Sequence, residues 1–168
     1  MSPVFQLLLC AQSVFSFTCQ AQDYEQLLRS AKMSLSEAVT HYLKSSKVPG
    51  VALGVRIEEY KGRHQFVISA AQGTQTYSFS FDTIEGKMRL ASRSSIDESN
   101  LANALKISLA DAIESAAKEA KGAAVQARFQ LNGDLKPECV VRVYDKGKTK
   151  IAIVDGVSGK VTSVKDAE

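Results

Sequence analysis

The feature that most constrains this chain is a short turn sequence that occurs twice. Asp82-Thr83-Ile84-Glu85-Gly86-Lys87-Met88 and Asp155-Gly156-Val157-Ser158-Gly159-Lys160-Val161 share the spacing D-x-x-x-G-K-apolar, 73 positions apart. Each follows an apolar-alternating run, and each is preceded by a helix-start signal at nearly the same displacement. Ser34-Leu35-Ser36-Glu37 places a hydroxyl three residues before a carboxylate, and Ser108-Leu109-Ala110-Asp111 repeats it 74 positions later. In such a capping box the hydroxyl accepts from a backbone N–H of the first turn while the carboxylate reaches back. Helix start and closing turn recurring together mark a duplicated folding unit.

Within the first copy, Leu35, Ala38, Val39, Tyr42 and Leu43 recur at the spacing of one helix face, and Val48-Pro49-Gly50 stops the helix. Strands are predicted at Val51 to Tyr60, Gln65 to Ala70, Tyr77 to Phe81 and, briefly, Met88 to Leu90. In the second copy, Leu109, Ala112, Ile113, Ala116, Ala117 and Ala120 form the helix face, with Gly122 as the expected left-handed stop. Strands follow at Val125 to Leu131, Glu138 to Tyr144, Thr149 to Asp155 and Val161 to Val164. The expected fold is therefore α+β: two tandem repeats, each one amphipathic helix packed on an antiparallel meander of three to four strands. Units of this size bury little alone, so the copies are expected to pack on each other or on a shared sheet. The predicted boundaries are a helical lead-in at 22–32, repeat 1 at 33–91, a polar linker at 92–106 and repeat 2 at 107–168.

Residues 1–21 hold no Lys, Arg, Asp or Glu and include the run Val4 to Ala11. They are too interrupted to span a bilayer and read as a secretory signal peptide, with Cys19-Gln20-Ala21 as the cleavage site. Leu9 and Thr18 fit poorly before a lipidated Cys10 or Cys19. Cleavage would leave Cys139 alone, flanked by strand residues and read as a buried thiol. The expected location is periplasmic or extracellular, without stable membrane insertion of the mature chain.

The net charge is +3, from scattered basic residues, which argues against nucleic acid as partner. Tyr77, Phe79 and Phe81 alternate with serine and resemble a base-stacking platform, yet no basic cluster accompanies them. Neither Cys139 nor the separated His41 and His64 show metal-ligand spacing, and no nucleophile-elbow or zinc-peptidase motif occurs. Glu58 and Glu59 are adjacent in a strand and so point to opposite faces. Asp82, Glu85, Asp134 and Asp155 are turn acids without a calcium-loop pattern. No catalytic, cofactor-binding or metal-ligating residue is assigned, and no cofactor.

The two helix starts, Met33 to Val39 and Ile107 to Ile113, together with the two D-x-x-x-G-K closes and the strand Val140-Val141-Arg142-Val143, resemble a PepSY domain in each copy. The likeness covers about residues 33 to 90 and 107 to 166 and is stronger in the second copy. It implies an exported protein and a non-enzymatic binding or regulatory role, with a protein partner such as a secreted or envelope peptidase that the domain restrains. The alternative is a ligand- or metal-binding envelope stress protein using the turn acids as oxygen donors.

Overall fold

A computed structural model describes residues 23–47, 50–84 and 87–167. The leader with Cys10 and Cys19, and Glu85 of the first turn, lie outside the described residues. The chain runs α1 (Tyr24–Ser30), α2 (Leu35–Ser45), β1 (Val51–Tyr60), β2 (Arg63–Gln72), β3 (Gln75–Asp82), β4 (Met88–Ser94), then α3 (Ser99–Ala104), α4 (Leu109–Ala120), β5 (Ala123–Leu131), β6 (Pro137–Asp145), β7 (Lys148–Asp155) and β8 (Val161–Asp166).

All eight strands form one antiparallel sheet in the order β4-β3-β2-β1-β5-β6-β7-β8. This corrects the expectation of two tandem units, each a helix on its own small meander. The seam is the pairing of β1 with β5 through Gly54↔Arg128, Val55↔Ala127 and Arg56↔Gln126. Its physical reason lies in those two strands, whose Val55, Ile57, Val125, Ala127 and Phe129 are all buried. As edges they would leave backbone donors and acceptors unpaired, and pairing them removes two edges at once.

The stretch read as a linker is also structured. Residues 92–94 complete β4, and 99–104 form α3, which seats Leu101 in the core. Likewise α1 buries Leu27. Each half thus carries a short helix, a long helix and four strands.

Both long helices begin with the expected capping box. The Ser34 hydroxyl accepts from the Glu37 N–H at 3.3 Å while Glu37 accepts from the Ser34 N–H at 2.6 Å. At α4 the Ser108 hydroxyl accepts from the Asp111 N–H at 3.1 Å. The left-handed residue ending α4 is Lys121, at φ 56°, rather than Gly122. Gly122 is needed for closeness instead, since a Cβ there would lie 2.5 Å from the Tyr144 carbonyl oxygen.

The helices α2 and α4 lie side by side on one face of the sheet, where the alternate residues Val55, Ile57, Phe66, Ile68, Phe79, Phe81, Ala127, Phe129, Cys139, Val141 and Val154 form one continuous core across both halves. The outer strands are interrupted by register shifts, between Ser78 and Phe79 where β3 meets β4 and between Ile153 and Val154 where β7 meets β8. Such bulges twist an edge away from continued pairing. No helix among the described residues is long and apolar enough to cross a membrane.

Candidate functional site

The repeated turn is a scaffold. Asp155 Oδ1 accepts from the Val157 N–H at 3.0 Å, the Ser158 N–H at 2.6 Å and the Ser158 hydroxyl at 2.9 Å. Gly159 takes φ 74° and its N–H donates to the Asp155 carbonyl. The Ser158 backbone N–H first, then its hydroxyl and the Val157 N–H, hold the Asp155 carboxyl below its ordinary 3.8. In the matching turn Asp82 Oδ1 accepts from the Ile84 N–H at 2.7 Å. Asp82, Asp134 and Asp155 stand in three different turns, and among the described residues no group of three His, Cys, Asp or Glu is placed to hold a metal ion.

The remaining sequence candidates are dispersed. The three rings of β3 turn toward the helices. Phe79 packs on Tyr42 with ring centres 5.1 Å apart, Phe81 lies between Phe66 and His41, and Tyr77 stacks on Phe79. They are core, and no platform for bases. Cys139 is fully buried, and burial pushes its thiol far above its ordinary range. His64 Nδ1 meets the Ser30 hydroxyl. That hydroxyl also donates to the Leu27 carbonyl at 2.9 Å. With its single proton placed there, Ser30 receives from the imidazole and serves as a staple between α1 and β2, not as an activated nucleophile. Glu58 accepts from Arg56 at 2.6 Å and from Gln65 at 2.9 Å, while Glu59 pairs in register with His64 on the other face.

A cavity of about 460 Å³ opens between the α1–α2 connection and α4, with Leu28, Met33, Leu35, Ile113 and Ala124 in its wall. Of its polar groups, Ser34 and Glu37 are committed to the capping box, and Lys32, Ser36 and Glu114 also line it.

The face of the sheet opposite α2 and α4 has a different character. Strand registers align one row across all eight strands: Arg89, Ser80, Val67 and Arg56 in the first half continue as Gln126, Arg142, Ile151 and Lys165 in the second. The next row runs Ser92, Ser78, Ser69, Gly54, then Arg128, Val140, Ile153 and Ser163. At about 4.8 Å per strand the rows are roughly 34 Å wide. They contain five cations and no carboxylate of their own. The arginines are fixed by groups beside the rows: Arg56 by Glu58, Arg128 by Glu98 at 2.9 Å, and Arg142 by the Tyr24 hydroxyl at 3.4 Å. Arg89 and Lys165 are exposed on the two outer strands.

Sequence reasoning missed these rows. The local signal was there, since Arg56, Arg128 and Arg142 each interrupt an apolar run at period two. What joins them is the β1–β5 seam, which no local pattern encodes.

No known family's model matches the chain, and no curated protein matches it. Among solved structures the chain is similar to a "putative lipoprotein" from Clostridium difficile 630. The two are 12% identical over 81% of this chain and 97% of that one, with a TM-score of 0.47. So distant a likeness leaves both fold and function to be argued from the residues of this chain.

Proposed function

We propose that this chain is an exported, non-catalytic binding module that restrains a secreted or envelope protein, a peptidase being the favoured class. The observation that carries this reading is the sheet face opposite α2 and α4, where Arg56, Arg128 and Arg142 are held in place by Glu58, by Glu98 at the start of α3 and by Tyr24 of α1. The PepSY likeness of the helix starts and closing turns supports the peptidase class, and the uncharged apolar leader supports export to the periplasm or beyond. The dispersal of His41, His64, Ser30 and the turn acids supports a binding role over turnover.

The test is direct. Purified protein is titrated into a panel of secreted metallopeptidases with rates followed fluorometrically, and in parallel is used to capture partners from the culture envelope fraction. Dose-dependent slowing of one peptidase class is expected. No slowing at micromolar protein, combined with no stoichiometric partner, would sink the reading.

A further inference from the structure

The seam between the halves relates them by a local two-fold axis. The strands β1 and β5 begin 72 positions apart and carry matching burial along their lengths, so that Gly54, Val55 and Arg56 correspond to Gln126, Ala127 and Arg128. In the antiparallel pairing Val55 faces Ala127, its own counterpart, while Gly54 faces Arg128 and Arg56 faces Gln126. A contact in which each strand meets its own equivalent is isologous, the arrangement that joins two copies of one chain in a symmetric dimer. The short helices bridge the halves as well. In the first half, α1 packs Tyr24 on Tyr144 of the second and sets its hydroxyl against Arg142. Glu98, at the start of α3, reaches both Thr76 of β3 and Arg128 of β5. Residues 95–98, which belong to no helix or strand, connect the halves covalently.

We infer that two copies of this chain exchange halves, β1 of each pairing with β5 of the other, to give a dimer with two complete eight-stranded sheets. Every contact of the seam, and of the core that spans it, recurs in that dimer. The closed monomer and the exchanged dimer therefore differ in free energy through residues 95–98 and through the concentration of chains. Three register pairs join the halves, fewer than join any other neighbouring strands among the described residues, so opening between the halves breaks less of the ladder than opening elsewhere in the sheet. The connection is short. It carries the chain from β4, at the outer edge, back to α3 against β2 and β5, and the Thr76 hydroxyl donates to the Ile96 carbonyl on the way at 3.0 Å. A short tether holds its two ends at an effective concentration on the order of millimolar. Dilute refolding thus closes the chain on itself, and exchange sets in when chains are refolded near that concentration. Return requires a buried core to open, so dimers formed this way persist on dilution.

The experiment unfolds the full chain in urea, refolds it at micromolar and at near-millimolar concentration, and reads its mass by light scattering after dilution. A dimer share that rises with refolding concentration and survives dilution is expected. Deletion of Ile96 and Asp97 shortens the reach of the connection by about 7 Å, and is expected to raise that share severalfold. The pairing itself is read by refolding an Arg56→Cys chain together with a Gln126→Cys chain under oxidising conditions, because a disulfide between positions 56 and 126 then forms only between chains. The double variant, refolded dilute, closes the same link within one chain. Monomer at every concentration, a dimer share indifferent to the deletion, or a dimer whose peptide map lacks the 56–126 link would overturn the inference.

Discussion

The two halves of the sheet carry the same succession of elements, yet their long helices cover it differently. The α4 face is Leu109, Ala112, Ile113, Ala116 and Ala120, and this helix lies against all four strands β5 to β8. The α2 face carries Tyr42, and this helix lies mainly on β1 and β2. What lies beyond is reached by rings, Tyr42 to Phe79 at 5.1 Å and His41 to Phe81 at 5.6 Å. A helix with a small-residue face gains its contacts by close backbone approach, whereas one with an aromatic face stands off and interdigitates. The second half is thus closed by proximity and the first by aromatic fill.

Breaking that contrast should give the largest effects. Phe81→Ala removes a buried ring that touches both Phe66 and His41, and is expected to cost about 3–5 kcal/mol in urea unfolding. The opposite change in the other half, Ala116→Leu, forces methylenes into a site with no exposed surface and is expected to cost about 1–3 kcal/mol. If Ala116→Leu is tolerated without loss, α4 does not sit as close as its alanines allow. Because one core cluster spans the seam, both variants should unfold in a single transition. Two separated transitions would show that the halves behave as independent units despite the shared sheet.

The local structure was legible in the sequence, and the joining of the halves was not. The β1 strand was readable to its last residue because Val51, Leu53, Val55 and Ile57 alternate and Lys61-Gly62 closes the run. The long helices announced themselves by Ser34 and Ser108. In contrast, β1–β5 pairing unites residues seventy or more positions apart, and nothing in the pattern of either strand names its partner. The helix α3 was legible only as a helix-capable end of the linker at Leu101 to Leu105, because six residues with only Leu101 buried show no periodicity. The Asp155 turn, a repeated closing motif in the sequence, has its carboxylate filled by its own backbone and the Ser158 hydroxyl. The charged face was invisible for the same reason as the seam: its rows exist only once the strands are in register.

Smaller effects are expected where the halves are most alike. Ser34→Ala and Ser108→Ala each delete a helix cap and should cost about 1 kcal/mol in the same unfolding assay. Near-equal losses would mean that the difference between the halves lies in packing alone. A loss at Ser108 well above that at Ser34 would indicate that the closer-packed α4 is also the more dependent on its cap.

The smallest effect is a pH dependence, and it separates the closing turn from the helix start. Glu37 in the first half is held below its ordinary 4.5, chiefly by the Ser34 backbone N–H and then by the Ser34 hydroxyl. Asp155 in the second half is held below its ordinary 3.8, chiefly by the Ser158 backbone N–H. In both, the folded state binds the proton less readily than the unfolded one. Their stabilisation is therefore fully present above the ordinary values and is lost as pH falls through the lowered ones. Melting temperature should accordingly decline in acid below about pH 4. Asp155→Asn retains an acceptor for the turn but cannot titrate, so it should flatten part of that decline while changing neutral-pH stability little. Both carboxylates are solvent-exposed, which keeps the effect small. An acid limb unchanged by Asp155→Asn and flattened by Glu37→Gln would place the acid sensitivity in the capping box of the first half rather than in the turn that closes the second.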